Sequence, residues 1–403
     1  MRITLLNQFY KPDLAPTATL AASVAEHLGA SGHEVTVVAS RGGYVAAPVV
    51  NGEQQTPNLK VHRLWTPRFG KARLIGRLAD YLSYYLLAAW TMLWIRRQDV
   101  IVSLTTPPFI VMAALLHRLF HRGSRVVLWN MDCYPEAPEA AGMLRPGGVG
   151  SRALRALNRF LFHRVDHVVC LDGAMREMLL SNYGGDRPFP TSVIPNWEPL
   201  AMFPREASLD RTLGRSRDRL VVLYQGNAGV GHEFETVLEC ARLLRDEPIE
   251  FRFVGGGKWW NWLTEQSRRD DLPGWRVEPY VPKDQTPRLL ADADVALITL
   301  RDSSRGVMSP SKLHSNLAAG LPVLYVGPAG SNVDEALTRF NCGVSLRNGD
   351  AQGAAEFLRS LIASPDYSIR LSERSRGAFE SAYCDRETLP RFCDLLAGLG
   401  SRG

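Results

Sequence analysis

Two series of short apolar runs, divided by one polar stretch, decide most of what this chain can fold into. In the first series, residues 2–6, 34–39, 100–104, 125–129 and 167–171 are continuous Val-, Ile- and Leu-rich runs separated by helical patterns and turn residues. Continuous rather than alternating apolar runs suit strands covered on both faces, so they predict a parallel sheet. Residues 17–29 read as the first connecting helix, capped by Thr17 and ended by Gly29 and Gly32. The stretch 198–219, with Pro199 and Pro204, reads as a linker. Leu220 then restarts the pattern, with further strands expected at 250–254, 275–279, 294–299 and 322–326. The expected class is α/β: two Rossmann-like doubly wound domains facing across a cleft, at 1–198 and 205–384. Residues 385–403 are expected to form a helix that packs back toward the first domain. Ligands of such sheets bind beyond the carboxyl ends of the strands.

Charge is distributed unevenly. The formal net charge is +6, yet residues 60–164 hold 16 Lys and Arg against 5 Asp and Glu, a net +11 that leaves −5 elsewhere. Such a field attracts anionic lipid, polyphosphate or nucleic acid. Within it, residues 78–95 form an apolar run with Tyr81, Tyr84, Tyr85, Trp90 and Trp94, between Arg68, Lys71, Arg73 and Arg77 on one side and Arg96 and Arg97 on the other. Asp80 and Ser83 and a place inside the α/β pattern argue against a membrane span. An interfacial helix fits, with aromatics in the lipid and arginines at its phosphates. Residues 151–164 repeat the theme, with Leu154, Leu157, Phe160 and Leu161 beside Arg152, Arg155, Arg159 and Arg164. The alternative is a pair of core helices with solvated basic faces. The aromatics sit in an apolar run rather than along a polar face, so nucleic acid is not the expected partner.

Six scattered cysteines without a CxxC pair predict reduced thiols. The apolar start runs at once into Asn7, Gln8 and Pro12, unlike a secretory leader. The expected location is cytoplasmic, peripheral to the inner face of the cytoplasmic membrane. Nine dispersed histidines give no metal cluster, and no cofactor is expected.

Two elements of the second half point to phosphate. Gly226, Gly229 and Gly231 lie between a strand and a helical pattern, where backbone can approach a phosphate at a helix N-terminus. A plain strand–helix turn is the alternative. Further on, Pro310 stands where a helix would begin, with Ser309 or Ser311 as its cap, and Lys312 falls in the first turn. A cation there opposes the helix dipole unless an anion lies between them. The alternative is a solvated lysine. In the first half, Asp132 and Glu136 follow a strand at its carboxyl edge, where a carboxylate can orient a ligand hydroxyl or take its proton. Asp132 as a turn cap and Glu136 as loop surface are the alternatives.

The stretch from Ser309 to Leu313, followed by Ala318-Ala319-Gly320-Leu321-Pro322-Val323, resembles the donor segment of glycosyltransferase family 4, whose members have the GT-B fold. Matching pieces occur in the same order at 8–13, 193–197, Gly226-Asn227, 253–257 and 280–282. The resemblance is to the branch that builds bacterial surface polysaccharides, of the fucosamine and colanic-acid type. It implies a hexosyltransferase, retaining in most of the family, that moves a sugar from a nucleotide-sugar, expected to be a UDP-sugar, to a lipid-linked or glycan acceptor. It puts Gly226, Asn227, Gly231 and Lys312 near the donor diphosphate, with Ser311 beside the lysine, and Tyr280 and Val281 near the base. The loop with Tyr10, Asp13 and Thr17 would face the acceptor, Asp13 serving as a ligand or as a turn residue.

The sequence departs from the family pattern at two places. Val307 and Ser315 stand where the family carries glutamates, leaving Ser315 or Asn316 to bond a donor hydroxyl. Asn227 and His232 stand where many relatives have Arg and Lys, with Arg301 and Arg305 as candidates for the missing charge. A UDP-sugar 2-epimerase of the same architecture and an inactive transferase-like scaffold are the competing readings.

Overall fold

A computed structural model describes residues 1–13, 15–41, 58–67, 74–204, 219–269 and 272–401. Arg68, Lys71, Arg73 and the linker over 205–218 lie outside the described residues. The apolar runs form two wholly parallel sheets. The first has strands β1 Arg2–Leu6, β2 Glu34–Ser40, β3 Leu59–Leu64, β4 Val100–Ser103, β5 Arg125–Asn130, β6 His167–Cys170 and β7 Thr191–Val193, in the order β3-β2-β1-β4-β5-β6-β7. The second has β8 Leu220–Asn227, β9 Ile249–Gly256, β10 Trp275–Pro279, β11 Val295–Thr299, β12 Val323–Val326 and β13 Gly343–Leu346, in the order β10-β9-β8-β11-β12-β13.

Each sheet reverses its strand order once, between β1 and β4 and between β8 and β11. These switch points are where an open α/β sheet leaves a crevice. They bring the loops after β8 and β11 together, which carry Gly231, His232 and the approach to Lys312. Burial on both faces explains the continuous apolar strands. In β11, Val295 and Leu297 enter one core layer, while Ala296 and Ile298 enter the opposite one.

The connecting helices used below are α1 Pro16–Ala30, α2 Leu74–Trp94, α3 Val111–Phe120, α4 Glu136–Ala140, α5 Val149–Phe162 and α6 Gly173–Tyr183. The second domain adds α7 Glu235–Leu243, α8 Trp260–Gln266, α9 Thr286–Ala291, α10 Lys312–Ala318, α11 Asn332–Phe340, α12 Ala351–Ala363 and α13 Pro365–Ala382. The last helix, α14 Asp385–Gly400, buries Leu389, Phe392, Cys393 and Leu396 in the core of the first domain. Its Phe392 ring lies 4.2 Å from Trp129, which stacks at 5.6 Å on Trp197 from the inter-domain connection. The outgoing and returning chains also pair: Glu198 N–H donates to Tyr383 O at 3.1 Å, and Asp385 N–H to Glu198 O at 3.1 Å.

Several local expectations need correction. Helix α1 starts at Pro16 with Ala15 at its N-cap, so Thr17 sits inside the first turn and caps nothing; proline's fixed φ suits it to that first position. Helix α10 has Ser311 at the N-cap position without a side-chain capping bond. Ser309 instead hydrogen-bonds the Asp172 side chain of the first domain. The six cysteines are free and buried.

The basic aromatic helix divides its residues by face. Tyr84 is buried and donates to Val38 O at 2.9 Å, Tyr85 donates to Pro108 O, and Ala88 and Met92 are in the core. The outer face carries Leu82, Leu86, Trp90 and Trp94, all exposed and four residues apart. On the neighbouring α3, Leu119 and Phe120 are exposed too. The stripe expected on α5 turns mostly inward, since Leu161 is buried and only Phe160 stands out, under the Arg164 guanidinium. Among the described residues, no helix is long and apolar enough to cross a membrane.

Candidate functional site

The second-domain wall of the cleft is organised around Lys312. Its Nζ is buried, has no hydrogen-bond partner, and lies 3.8 Å from the centroid of the Tyr224 ring. Desolvation lowers its pKa to about 7. The Tyr224 hydroxyl donates to Asn227 O at 3.0 Å, so the same ring that carries the lysine braces the glycine-rich turn. His232 is buried beside them. Its Nδ1 lies 2.7 Å from Thr299 O, and because a carbonyl only accepts, Nδ1 carries the proton. Desolvation, then the nearby Lys312 charge, holds its pKa down to about 3, so the ring is neutral and presents an unprotonated Nε2.

The turn differs from a simple strand-to-helix phosphate loop. Strand β8 runs on through Gly226 and Asn227, and α7 begins only at Glu235, which puts a carboxylate in its first turn. That helix end is poorly suited to an anion. Gly226 has φ +102, and a Cβ there would meet open space. Gly231 is needed for packing, since a Cβ would fall 2.1 Å from Met308 Sδ. Gly255 and Gly257 also serve packing, because Cβ atoms there would strike Gly226 O at 2.0 Å and Asn227 Oδ1 at 2.4 Å.

Ser315 and Asn316 are buried and held by one side chain: Gln225 Nε2 donates to Ser315 Oγ at 3.1 Å and to Asn316 Oδ1 at 3.3 Å. Ser311 is exposed at the head of α10, and Val307 is half-buried. Tyr280 is exposed with its ring over Gly256, and Val281 packs on the core.

The two candidate arginines are both engaged. Arg301 donates to His232 O at 2.9 Å and lies over Trp259. Arg305 turns away from the donor side to the first domain, pairing with Glu177 at 2.6 Å and donating to Ala329 O. It joins other contacts between the first domain and the loop before α10. Cys133 Sγ lies 3.8 Å from Gly306 O, and a Cβ on Gly306, at φ +75, would fall 2.7 Å from Ala174 O.

On the first-domain wall the two carboxylates differ. Asp132 is exposed, its backbone N–H anchored on Thr105 Oγ1 at 2.9 Å. Desolvation within its recess raises its pKa. Glu136 is neither loop surface nor open to the cleft. Its Oε1 accepts from Tyr183 at 2.5 Å and from Arg155 and Asn182 at 3.1 Å each, within a buried network. Tyr10 and Asp13 are buried at the end of β1, with Arg63 donating to Tyr10 O, and Thr17 is half-buried. Nearby Asn7 Oδ1 and Gln8 Oε1 are buried acceptors without partners. Sequence reading passed over Tyr224, Gln225 and Thr105; their signal was position alone, at or just before strand ends that face the crevice. Among the described residues, no His, Cys, Asp and Glu group is arranged to hold a metal.

Two doubly wound parallel sheets, with a partnerless cation at the switch point of one and an exposed carboxylate at the strand ends of the other, have the two-domain architecture of the GT-B class. Comparison with known proteins agrees. Residues 17–197 match the family model of the glycosyl transferase 4-like domain. WbjE of Pseudomonas aeruginosa, named as a glycosyltransferase, is 28% identical over 362 residues, covering 88% of this chain and 89% of that protein. WcaI of Escherichia coli (strain K12), named for colanic acid biosynthesis, is 26% identical over 344 residues, covering 79% and 82%. The crystal structure of Anabaena HepE in complex with UDP and glucose superposes with a TM-score of 0.67 at 14% identity, covering 98% and 99%. The first domain thus matches the glycosyl transferase 4-like model, and most of the chain is similar to named glycosyltransferases, one of them named for colanic acid biosynthesis. The fold is GT-B.

Proposed function

We propose that this chain is a glycosyltransferase that moves a hexose from a UDP-sugar to a lipid-linked acceptor at the membrane surface, with retention at the anomeric carbon. The observation that carries the donor side is the buried, partnerless ammonium of Lys312. An ammonium removed from water with no counter-charge is costly unless a ligand supplies one. A diphosphate beside it restores the pairing. The charge that develops on the leaving UDP, as the bond from the anomeric carbon to phosphate breaks, falls where this cation stabilises it. UDP is favoured over other nucleotides because HepE, of the same fold, was solved with it.

The acceptor hydroxyl forms the new bond to the anomeric carbon, and Asp132 orients it and takes its proton. The raised pKa of that carboxyl brings it closer to what a general base needs. Retention rests on the family resemblance, and the anomeric coupling constant of the product tests it.

A lipid-linked acceptor is supported by the Leu82, Leu86, Trp90 and Trp94 ladder on α2 with exposed Arg96 and Arg97 beyond its end. Apolar side chains enter the lipid interface and the guanidiniums meet its phosphates. The deciding experiment is UDP release from a panel of UDP-sugars, with and without a membrane lipid extract. Acceptor-dependent release is expected. Absence of binding by UDP, GDP and ADP in calorimetry sinks the proposal.

A further inference from the structure

A cavity of about 290 Å³ lies between the domains near the chain crossing. Helix α10 separates it from the donor wall: Lys312 lies against Tyr224, whereas His314 stacks on Tyr383 at 5.1 Å and lines the cavity. None of Lys312, Gly226 and His232 lines it.

Its chemistry is unlike that of the donor wall. Asp172 from the first domain and Glu335 and Asn332 from α11 supply acceptor oxygens. Asn332 is 9% exposed, and its Oδ1 is buried with no partner. Arg339 and Arg391 stand exposed at the rim, and neither has an acidic partner among the described residues. The stacked His314 and Tyr383 add a flat, largely apolar wall. Asp172 already accepts from Met175 N–H and Ser309, so the acceptor left facing no donor is Asn332 Oδ1; it suits a hydroxyl of a sugar ring, and a flat aromatic wall suits the ring's C–H face. Two free guanidiniums suit a phosphate, which they bind by forked hydrogen bonds. The volume lies near the lower end for small-molecule sites, the size of one monosaccharide.

We propose that this cavity is a second ligand site, for a phosphorylated monosaccharide, separate from the donor cleft. Its walls come from both domains, so the bound ligand ties them together. The inference stands apart from the donor assignment, and UDP serves as an independent reporter.

The test is calorimetry on the full chain with hexose 1- and 6-phosphates, and with glucose, glucuronate and inorganic phosphate as comparison ligands, each with and without saturating UDP. At least one hexose phosphate is expected to bind tenfold or more tighter than the three comparison ligands, with its affinity retained when UDP is present. Arg339→Ala and Arg391→Ala each weaken it about tenfold, as loss of a charged hydrogen bond to phosphate does, and leave UDP binding unchanged. Asn332→Ala weakens it too, with the rim charges intact. The proposal is overturned if no hexose phosphate binds, if UDP displaces it, if glucuronate or phosphate binds as tightly, or if the arginine variants bind normally.

Discussion

The two walls of the cleft handle charge in opposite ways. The first domain neutralises its buried carboxylate internally: Glu136 is held by Arg155, Asn182 and Tyr183 before any ligand arrives. The second domain buries Lys312 against an aromatic face with no counter-charge and keeps the adjacent His232 neutral. Glu136 Oε2 has no hydrogen-bond partner, yet its charge is already met by Arg155; a buried charge with its counter-charge in place stiffens structure, whereas one without waits for a partner. The contrast assigns Glu136 to folding and Lys312 to ligand, although both are charged residues at the first turn of a helix.

The sharpest way to break this contrast is to remove each charge. Lys312→Met is expected to lower kcat/KM by about 10²- to 10³-fold, the usual loss of a group that stabilises developing charge. The same change deletes an uncompensated buried cation, so the ligand-free melting temperature should hold or rise. Glu136→Gln should do the reverse. It weakens the charged hydrogen bonds from Arg155, which keeps Glu139, and from Tyr183, and destabilises by about 1.5 kcal/mol, while kcat per folded enzyme stays near normal. Melting curves beside initial rates separate the two; a stable, active Glu136→Gln enzyme would contradict the contrast.

Asp132→Asn comes next. It removes the open carboxylate of the first wall and should cost about 10²-fold in kcat, with UDP affinity unchanged by calorimetry. Equal activity of this variant would move the proton to another acceptor.

How much of this was written in the sequence follows from the same physics. Strands covered on both faces must be apolar throughout, so the central strands of both sheets could be read directly, with β11 at Val295–Thr299 differing from expectation by one residue, whereas the half-buried edge strand β3 Leu59–Leu64, with Lys60, His62 and Arg63, could not. The short β7 and β13 carry too little apolar sequence to stand out. Lys312 was legible because a lysine after Ser-Pro-Ser contradicts the helix dipole. The aromatic shelf beneath it was not, because Tyr224 reads as one more strand residue until the sheet brings it under the lysine. Glu136 misled for the same reason: its partners Arg155, Asn182 and Tyr183 come from α5 and α6, and nothing local announces them. Tyr84 and Trp90 look alike in a run of aromatics, and only packing on the sheet decides which one faces out.

Lys312 also makes donor binding depend on pH. Free Lys312 has a pKa near 7, below its ordinary 10.5, so above pH 7 it is mostly neutral. A bound diphosphate raises that pKa, because an adjacent anion favours the ammonium. UDP binding at pH 8 should therefore take up close to one proton, and affinity should fall as pH rises from 7 toward the pKa of the bound form. Calorimetry in buffers of different ionisation enthalpy measures the uptake, and Lys312→Met should abolish it. Folded-state linkage has the opposite slope: without ligand, stability grows as pH rises from 7 to 10.5, because the unfolded chain holds the proton there. Uptake that persists in the variant would assign the proton elsewhere.

The smallest expected effect lies outside the cleft, on the α2 ladder. Trp90 and Trp94 lie with ring centroids 5.5 Å apart and are 62% and 73% exposed, so neither is needed by the core. Exchanging either for Ala should leave melting unchanged within about 0.5 kcal/mol, as surface changes usually do. Each ring withdraws from the lipid interface a side chain worth about 1.5–3 kcal/mol when fully buried. Partial insertion makes that a roughly tenfold loss in partitioning to vesicles containing phosphatidylglycerol. Tyr84→Ala on the inner face should instead unfold the domain edge, because its ring fills the core and its hydroxyl satisfies Val38 O. If the outer tryptophans behaved like Tyr84, and stability fell while vesicle binding held, α2 would be a core helix and the lipid-linked acceptor would lose its surface support.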